Sequence, residues 1–293
     1  MRLFIDAPAK INLDLRILGR REDGFHELDT ILQSIDLADT VSIRCRRGPF
    51  AVRSRSNGVP RDSSNLIWEA AQRLWQRIGR RGAPRDVSIY LKKKIPIAAG
   101  FGGASSDVAS ALRGLSEVWA PRLSTAVLLQ IGAVVGCDVP FFFRGGTVVA
   151  TGRGERLRSL RSLDSFWLVL VVPAFGVSTA KAYRWWDYDS LRPSTITRAR
   201  GWRTDLACLR NDLQDVVTQR HPELGVVIER LSQAGAIYAA MTGSGSAVFG
   251  LFRNRYDALT ARKAVNNSGW RTFLHRTVAR DEFAKRTAVI IRD

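Results

Sequence analysis

The N-terminal part of the chain shows first a strand pattern and then a helix pattern. Residues 11–17 alternate apolar and polar side chains, which is the period of a strand with one buried face. Lys10, Asn12 and Asp14 occupy the polar positions, so we expect these three side chains on one face. Residues 28–44 predict further strand with a break near residues 36–39. Residues 62–65 predict the start of a helix with apolar positions up to Ile78.

A glycine-rich segment lies in the middle of the chain. Residues 87–91 alternate as a strand, three lysines follow at 92–94, and Pro96 ends the strand. Residues 99–107 (AGFGGASSD) then run directly into apolar residues at helical spacing up to Trp119. A glycine loop that feeds a helix N-terminus can hold an anion through its backbone N–H groups. The alternative is a tight turn whose glycines serve packing only.

Two familiar nucleotide motifs do not account for this loop. A Walker A loop requires Gly-Lys followed by Ser or Thr, and the dinucleotide motif would require glycine where Ser105 stands. The hydroxyl groups of Ser105 and Ser106 remain candidates for bonding a phosphate group or a metal that bridges phosphates.

The rest of the chain mixes strands and helices without a regular alternation. Ser124 predicts the cap of a helix that stops at Gly136, and residues 137–140 turn the chain before three phenylalanines. Residues 167–173 predict a strand and residues 222–233 a helix. Residues 237–241 and 247–252 predict strands on either side of the segment 242–246. This order favours an α+β fold, and we place a domain boundary near residue 160, giving domains 1–160 and 161–293.

Composition favours a globular protein with a basic surface. The chain has 293 residues, of which 45% are hydrophobic and 25% charged, and its net charge is +18. The arginines are scattered, which favours a solvated surface that attracts phosphorylated substrates, although nucleic-acid binding is an alternative.

Three distant cysteines predict neither a disulfide framework nor a zinc site. An acidic residue and a proline follow the N-terminus closely, and the longest apolar run is 166–172. We therefore expect a cytoplasmic protein without a membrane span.

Several segments, taken together, resemble the GHMP kinases. Three resemble that family's signature motifs: residues 8–13 (PAKINL), 96–107 (PIAAGFGGASSD) and 241–246 (MTGSGS). With the first of these, residues 23–28 (DGFHEL) and 137–142 (CDVPFF) resemble a branch that phosphorylates a cytidine diphosphate-linked polyol for isoprenoid synthesis. The resemblance covers residues 6–252. Ala104 replaces a usual third glycine, Phe101 a usual leucine, and Phe25 the tyrosine of some members.

The resemblance implies a two-domain GHMP kinase fold. Its N-terminal ATP-binding domain is expected to resemble domain 2 of ribosomal protein S5, and its C-terminal, substrate-side domain to be ferredoxin-like. ATP is the implied co-substrate, with Mg²⁺, for which we assign no protein ligand. The implied partners are small molecules, with no nucleic acid and no membrane, and the protein is expected to be a monomer or a homodimer.

The resemblance implies that Lys10 and Asp138 are catalytic. Asp138 follows a helix stop and precedes a proline, where a side chain can project into a cleft as a base. Its alternative role is a hydrogen bond to nearby backbone, and that of Lys10 is a solvated position on the strand. Asn12 is expected to hold substrate hydroxyls. We reject Asp107 as the base, because an acidic residue at a helix start is favoured by the helix dipole alone.

The implied substrate site is aromatic. His26 is expected to hydrogen-bond the cytosine and Phe25 to cover its face, although a lone histidine is more often structural. Tyr183 is the preferred second aromatic wall and Trp185 the other candidate, unless it belongs to the core. Thr242 and Gly243 are the other expected substrate contacts.

The implied ATP site surrounds the glycine loop. Asn65 and Lys93 resemble adenine- and ribose-side contacts, with a helix cap and a solvated strand end as their alternatives. The remaining ATP contacts are Pro96, Gly100, Gly102, Gly103, Ala104, Ser105 and Ser106. Two rival functions remain at this point: a GHMP kinase acting on homoserine, mevalonate or a sugar, and a basic RNA-binding module.

Overall fold

The computed structural model describes residues 1–163, 165–189, 206–266 and 269–292. The strands are β1 Arg2–Arg20, β2 His26–Pro49, β3 Ala51–Ser54, β4 Arg85–Lys92, β5 Thr147–Gly152, β6 Arg156–Ser159, β7 Trp167–Val172, β8 Tyr238–Met241, β9 Val248–Phe252, β10 Arg271–Arg276 and β11 Ile290–Arg292. The helices are α1 Leu66–Arg77, α2 Gly103–Trp119, α3 Thr125–Val135, α4 Phe141–Arg144, α5 Thr179–Asp189, α6 Gln214–Thr218, α7 Pro222–Gln233, α8 Arg255–Ala264 and α9 Arg280–Arg286.

The first sheet is built around two long antiparallel strands. β1 and β2 pair along most of their length, and the sheet order is β11-β1-β2-β4-β3, with β5 also pairing with β2 and β6 with β5. Residues 28–33 of β2 pair with β5, and residues 40–45 of β2 pair with β4. Residues of α1, α2 and α3 form one hydrophobic core with apolar residues of β1, β2 and β4. Burying these helices against the sheet fixes the start of α2 relative to β1.

The second sheet has the order β10-β7-β9-β8, and each of these pairings is antiparallel. Apolar residues of α7 and α8 pack with β7 and β9 in a second core. A third core joins the two sheets, because Ile11 and Ile31 of the first sheet pack with Leu168, Leu170 and Phe249 of the second. The loop between β8 and β9 is therefore held against β1.

The predicted break near residues 36–39 is wrong. β2 is continuous there and contains a bulge: Pro8 pairs with Ala38 and Lys10 with Ser34, so residues 35–37 lie opposite a single residue of β1. The acidic residues that suggested a break have distant partners. The Asp36 carboxylate accepts hydrogen bonds from His275 Nδ1 at 2.8 Å and from the Arg276 N–H at 3.0 Å.

The C-terminal end of the chain returns to the first sheet. β11 pairs with β1, and Phe283 of α9 is buried in the first core. The division 1–160 and 161–293 stays a prediction, but these last residues pack with the earlier part of the chain. The sequence held no signal for this, because strand pairing between the two chain ends depends on tertiary packing. The α+β prediction is confirmed.

Candidate active site

The described residues form a cavity of about 1050 Å³. Its wall includes the glycine loop, the polar part of β1, the turn after β1 and one face of α5. Most of the residues predicted for the site line this cavity: Lys10, Asn12, Phe25, His26, Asn65, Lys93, Pro96, Gly100, Gly102, Gly103, Ala104, Ser105, Asp138, Tyr183 and Gly243. Ser106, Trp185 and Thr242 are not part of its wall.

The glycine loop leads into α2 as predicted. Gly102 caps the helix with a φ of 69°, in the left-handed region. A Cβ atom at this position would lie 2.9 Å from the ring of Phe142 and 3.1 Å from Lys10 Cγ, so only glycine fits without displacement. The first N–H groups of a helix have no hydrogen-bond acceptor within the helix, so at the N-terminus of α2 they point out of the helix. The loop therefore presents backbone donors and a helix dipole to the cavity.

Two backbone hydrogen bonds hold the loop in place. The Lys10 N–H donates to the Phe101 carbonyl at 3.0 Å, and the Ala247 N–H donates to the Ala99 carbonyl at 3.3 Å. A Cβ atom on Gly100, whose φ is 85°, would lie 2.2 Å from the Thr242 carbonyl oxygen. The glycine loop, β1 and the β8–β9 loop are thus in direct contact.

Lys10 lies between Asn12 and Asp138. Its Nζ donates to Asn12 Oδ1 at 2.6 Å and lies 3.6 Å from Asp138 Oδ2. Asn12 in turn donates from Nδ2 to Thr30 Oγ1 at 2.9 Å, which orients its oxygen toward the lysine. Lys10 is buried whereas the Asp138 side chain is 35% exposed, so the carboxylate remains accessible from the cavity.

Asp14 does not share this face, which corrects the sequence-based expectation. The register of β1 and β2 shifts between Asn12 and Asp14. Asp14 instead accepts hydrogen bonds from Arg16 Nε at 2.8 Å and from the Arg210 N–H at 2.9 Å. Burial raises the pKa of the Asp14 carboxyl, and these donors partly oppose that effect. Leu15 lines the cavity instead.

Lys93 is enclosed by two carboxylates. Its Nζ donates to Asp107 Oδ2 at 2.6 Å and to Asp39 Oδ2. Burial alone would lower the pKa of the Lys93 ammonium, but the two carboxylates together outweigh it and raise that pKa. Burial raises the pKa of Asp107 to about 7, although Lys93 opposes the rise. This buried group of charges lies beneath the first turn of α2.

Three predicted contacts have other partners. Ser106 is fully buried and its hydroxyl donates to the Pro8 carbonyl at 2.7 Å, because this position of α2 faces β1 rather than the cavity. Thr242 is also fully buried, and its hydroxyl accepts from the Asn12 N–H at 3.0 Å. Asn65 caps α1: its Oδ1 accepts from the Ile67 N–H at 3.0 Å. This confirms the helix cap, and the contact of Asn65 with ATP stays a prediction.

The aromatic part of the site lies where α5 meets the start of β2. The His26 ring stacks on Tyr183 with centroids 4.7 Å apart and 23° between the planes. The Phe25 side chain is 50% exposed, and the Arg153 guanidinium lies 5.0 Å from its ring centroid. Trp185 is on another side of α5, packs in the second core and lies near His221. Tyr183 lines the cavity and Trp185 does not, but the role of Tyr183 as the second aromatic wall of the substrate site stays a prediction.

Sequence reasoning missed two acidic residues of the cavity and its surroundings. Asp187 Oδ1 lies 2.7 Å from His26 Nε2, and Asp39 binds Lys93. Asp187 follows Tyr183 by four residues, so helical spacing could have indicated one shared face. Asp39 had no such signal, because its partners come from the β4–α2 connection.

Neither a membrane helix nor a metal cluster is present in the described residues. No helix there is long and apolar enough to cross a membrane. The same residues contain no group of three or more His, Cys, Asp or Glu side chains able to hold a metal ion.

Two family models match the chain. They are described as GHMP kinases N terminal domain, over residues 65–146, and GHMP kinases C terminal, over residues 199–271. Structures of homoserine kinase from Cytophaga hutchinsonii and of a mevalonate kinase share the fold, each at 16% identity, with TM-scores of 0.66 and 0.68. The homoserine kinase match covers 99% of this chain and 97% of that one, and the mevalonate kinase match covers 94% and 99%.

Nearer relatives carry one name. The 4-diphosphocytidyl-2-C-methyl-D-erythritol kinase of Moorella thermoacetica is 44% identical over 278 residues, covering 90% of this chain and 94% of the relative. That of Bacillus pumilus is 38% identical over 260 residues, covering 86% and 89%. A crystal structure of 4-(cytidine 5'-diphospho)-2C-methyl-D-erythritol kinase matches with a TM-score of 0.77 and 31% identity, covering 94% of this chain and 98% of that one. The chain therefore belongs to the GHMP kinases and, within them, to the 4-diphosphocytidyl-2-C-methyl-D-erythritol kinase family.

The family prediction is confirmed, as is the prediction of an ATP-dependent kinase. The roles of the individual site residues stay predictions, as do the cellular location, the oligomeric state and the lack of a nucleic-acid partner.

Proposed function

We propose that this chain transfers the γ-phosphoryl group of ATP to the 2-hydroxyl of 4-diphosphocytidyl-2-C-methyl-D-erythritol. The relatives' shared name supplies the substrate. The observation that carries the proposal is the pairing of Lys10 with Asp138 in one cavity with the glycine loop. An accessible carboxylate, a buried cation and the N-terminus of a helix are the parts that phosphoryl transfer to an alcohol requires.

Asp138 accepts the proton of the substrate hydroxyl in this mechanism. The oxygen then bonds to the γ-phosphorus while the bond from that phosphorus to the β,γ-bridging oxygen breaks, and ADP leaves. Lys10 neutralises charge on the transferred group, and its hydrogen bond to Asn12 at 2.6 Å fixes the direction of its ammonium. The proton carried by Asp138 passes to solvent when the products leave.

The phosphates of ATP bind at the start of α2. Backbone N–H groups of the loop and the Ser105 hydroxyl are the proposed donors, and the helix dipole adds partial positive charge. Mg²⁺ comes with the nucleotide and, when bound, offsets phosphate charge. If the ion binds in this cavity, the Ser105 hydroxyl in its wall is the candidate protein group that would hold it.

The cytosine binds at the aromatic end of the cavity. His26 supplies a hydrogen bond, exposed Phe25 covers one face of the base, and Tyr183 forms the wall behind His26. An aromatic site of this kind suits a planar base and offers little to homoserine or mevalonate, which lack one.

A coupled assay tests this function directly. Purified protein is given ATP and either the cytidyl substrate, homoserine or mevalonate, and ADP release is followed. ADP release that depends on the cytidyl substrate supports the proposal. Turnover with homoserine or mevalonate but not with the cytidyl substrate would contradict it.

A further inference from the structure

Asp187 makes a contact that the proposed mechanism does not use. Its Oδ1 lies 2.7 Å from His26 Nε2, and both residues line the cavity. The same helix supplies the Tyr183 ring that stacks on His26 and the Trp186 ring that meets His26 edge-on, with centroids 5.6 Å apart. One face of α5 thus holds the imidazole on three sides.

The contact determines which nitrogen of His26 carries the proton. A carboxylate only accepts hydrogen bonds, so Nε2 must be the donor to Asp187. In a neutral imidazole the other nitrogen, Nδ1, then holds a lone pair and is an acceptor. Among the described residues Nδ1 has no hydrogen-bond partner in the protein. It is therefore available to a ligand in the cavity.

An acceptor at this position distinguishes two pyrimidines. Cytosine carries an amino group at C4, which donates hydrogen bonds, whereas uracil carries a carbonyl oxygen there, which accepts them. The amino group pairs with the Nδ1 lone pair. The carbonyl oxygen would face that lone pair and leave both unpaired, which weakens binding.

We propose that Asp187 is a positioning residue that holds His26 in the Nε2–H form and so makes the site select a 4-amino pyrimidine over a 4-keto pyrimidine. This inference rests on the proposed function, since it concerns the base of the same substrate. Asp187 pairs with His26 whereas Lys10 pairs with Asp138, so we assign Asp187 no contact with the reacting groups.

The alternative is that Asp187 only stabilises the packing of α5 on β2. A structural role of that kind would weaken the binding of both pyrimidine substrates equally. The measurement must therefore compare the cytidyl substrate with its uridyl counterpart, in which only the C4 substituent and the N3 proton differ.

The variants are Asp187→Ala and Asp187→Asn, assayed at pH 8, where an imidazole is ordinarily neutral. The asparagine amide can donate to Nε2 as well as accept from it, so it no longer enforces one form. The matched control is Asp189→Ala, which removes a neighbouring acid of the same helix that pairs with Arg220 at 2.9 Å outside the cavity.

We expect both Asp187 variants to lower the preference for the cytidyl over the uridyl substrate by about tenfold in kcat/KM. The KM for ATP should stay within twofold, which also shows that the variants fold. Asp189→Ala should keep the wild-type preference. An unchanged preference in both Asp187 variants, or an equal loss with both substrates, would overturn the inference.

A ¹⁵N NMR spectrum of the His26 imidazole provides a reading without turnover. Wild-type protein should show a protonated Nε2 and an unprotonated Nδ1, and Asp187→Ala should show a mixture. A wild-type spectrum with the proton on Nδ1 would overturn the inference. Failure of the proposed function would appear separately, as absence of wild-type turnover with the cytidyl substrate.

Discussion

The Lys10 ammonium lies 3.6 Å from the Asp138 carboxylate, and the two residues come from distant parts of the chain. Lys10 belongs to β1, whereas Asp138 lies in the turn between α3 and α4. Lys10 is buried next to Gly102, so its side chain has little freedom to leave this position. The fold therefore places this cation beside this carboxylate at the cavity.

Asp138→Asn tests the base. The amide cannot accept the proton of the hydroxyl, so we expect kcat to fall by about 10²–10⁴-fold while ATP still binds. Coupled kinetics and calorimetric titration with ATP measure the two effects. Asp281→Asn is the control, because Asp281 is an exposed residue of α9 outside the cavity. A near-normal kcat in Asp138→Asn would reject the base assignment.

Gly102→Ala tests the close approach of the glycine loop. The new methyl would occupy a left-handed backbone position and contact Phe142 and Lys10, so we expect a loss of about 1–3 kcal/mol in unfolding free energy and a higher KM for ATP. Gly79→Ala separates strain from contact, because Gly79 has a φ of 79° and nothing within 4 Å of the added carbon. It should lose stability without changing KM. Equal KM values for ATP in Gly102→Ala and Gly79→Ala would contradict the assignment of the glycine loop to ATP binding.

The segments that meet at this cavity were more predictable from the sequence than the orientation of single side chains in its wall. Lys10, Asp138 and the glycine loop each lie in a short segment that resembles a motif of the GHMP kinases, and the structure brings the three segments into one cavity. The sequence could not predict that the Ser106 side chain points toward β1 and away from the cavity, because this depends on how α2 packs against the Pro8 carbonyl. The bulge that turns Asp14 away from Asn12 likewise depends on the pairing of β1 with β2.

The fold shows the same division. Alternation and helix signals predicted ten of the twenty strands and α-helices of the described residues, including α1 after Asn65 and α3 after Ser124. The continuous β2 was missed because its acidic residues bond to groups distant in sequence, such as His275. The return of β11 to β1 was missed because a three-residue strand carries almost no periodic signal.

The raised pKa of Asp107 predicts that the free energy of unfolding depends on pH. Its folded-state pKa is about 7 against an ordinary value of 3.8, so the folded protein holds this proton more tightly than the unfolded chain. Its stabilising contribution is present below about pH 4 and is lost as the pH rises toward 7. Lys93 stays charged over this range, because its pKa is raised.

The test compares Asp107→Asn with wild type by urea unfolding between pH 5.5 and 8. The variant should gain stability relative to wild type as the pH rises, because asparagine has no proton to lose. Asp281→Asn should show no such trend, since its carboxylate is exposed. A difference between Asp107→Asn and wild type that does not change with pH would contradict the raised pKa.

Asn65 and Asn254 form a matched pair that separates a helix cap from a nucleotide contact. Each caps a helix with its side chain: Asn65 accepts from the Ile67 N–H at 3.0 Å, and Asn254 from the Asp257 N–H at 2.9 Å. Only Asn65 lines the cavity. Alanine at either position should lower the unfolding free energy by about 1 kcal/mol, because one helix N–H loses its acceptor.

The two variants should differ in their kinetics with ATP. If Asn65 contacts the adenine side of the nucleotide, Asn65→Ala raises the KM for ATP several-fold and Asn254→Ala leaves it unchanged. Urea unfolding and initial-rate kinetics on the same preparations measure both effects. If both variants lose the same stability and Asn65→Ala keeps the wild-type KM for ATP, Asn65 acts only as a helix cap. The assignment of Asn65 to the adenine side of the nucleotide would then be wrong.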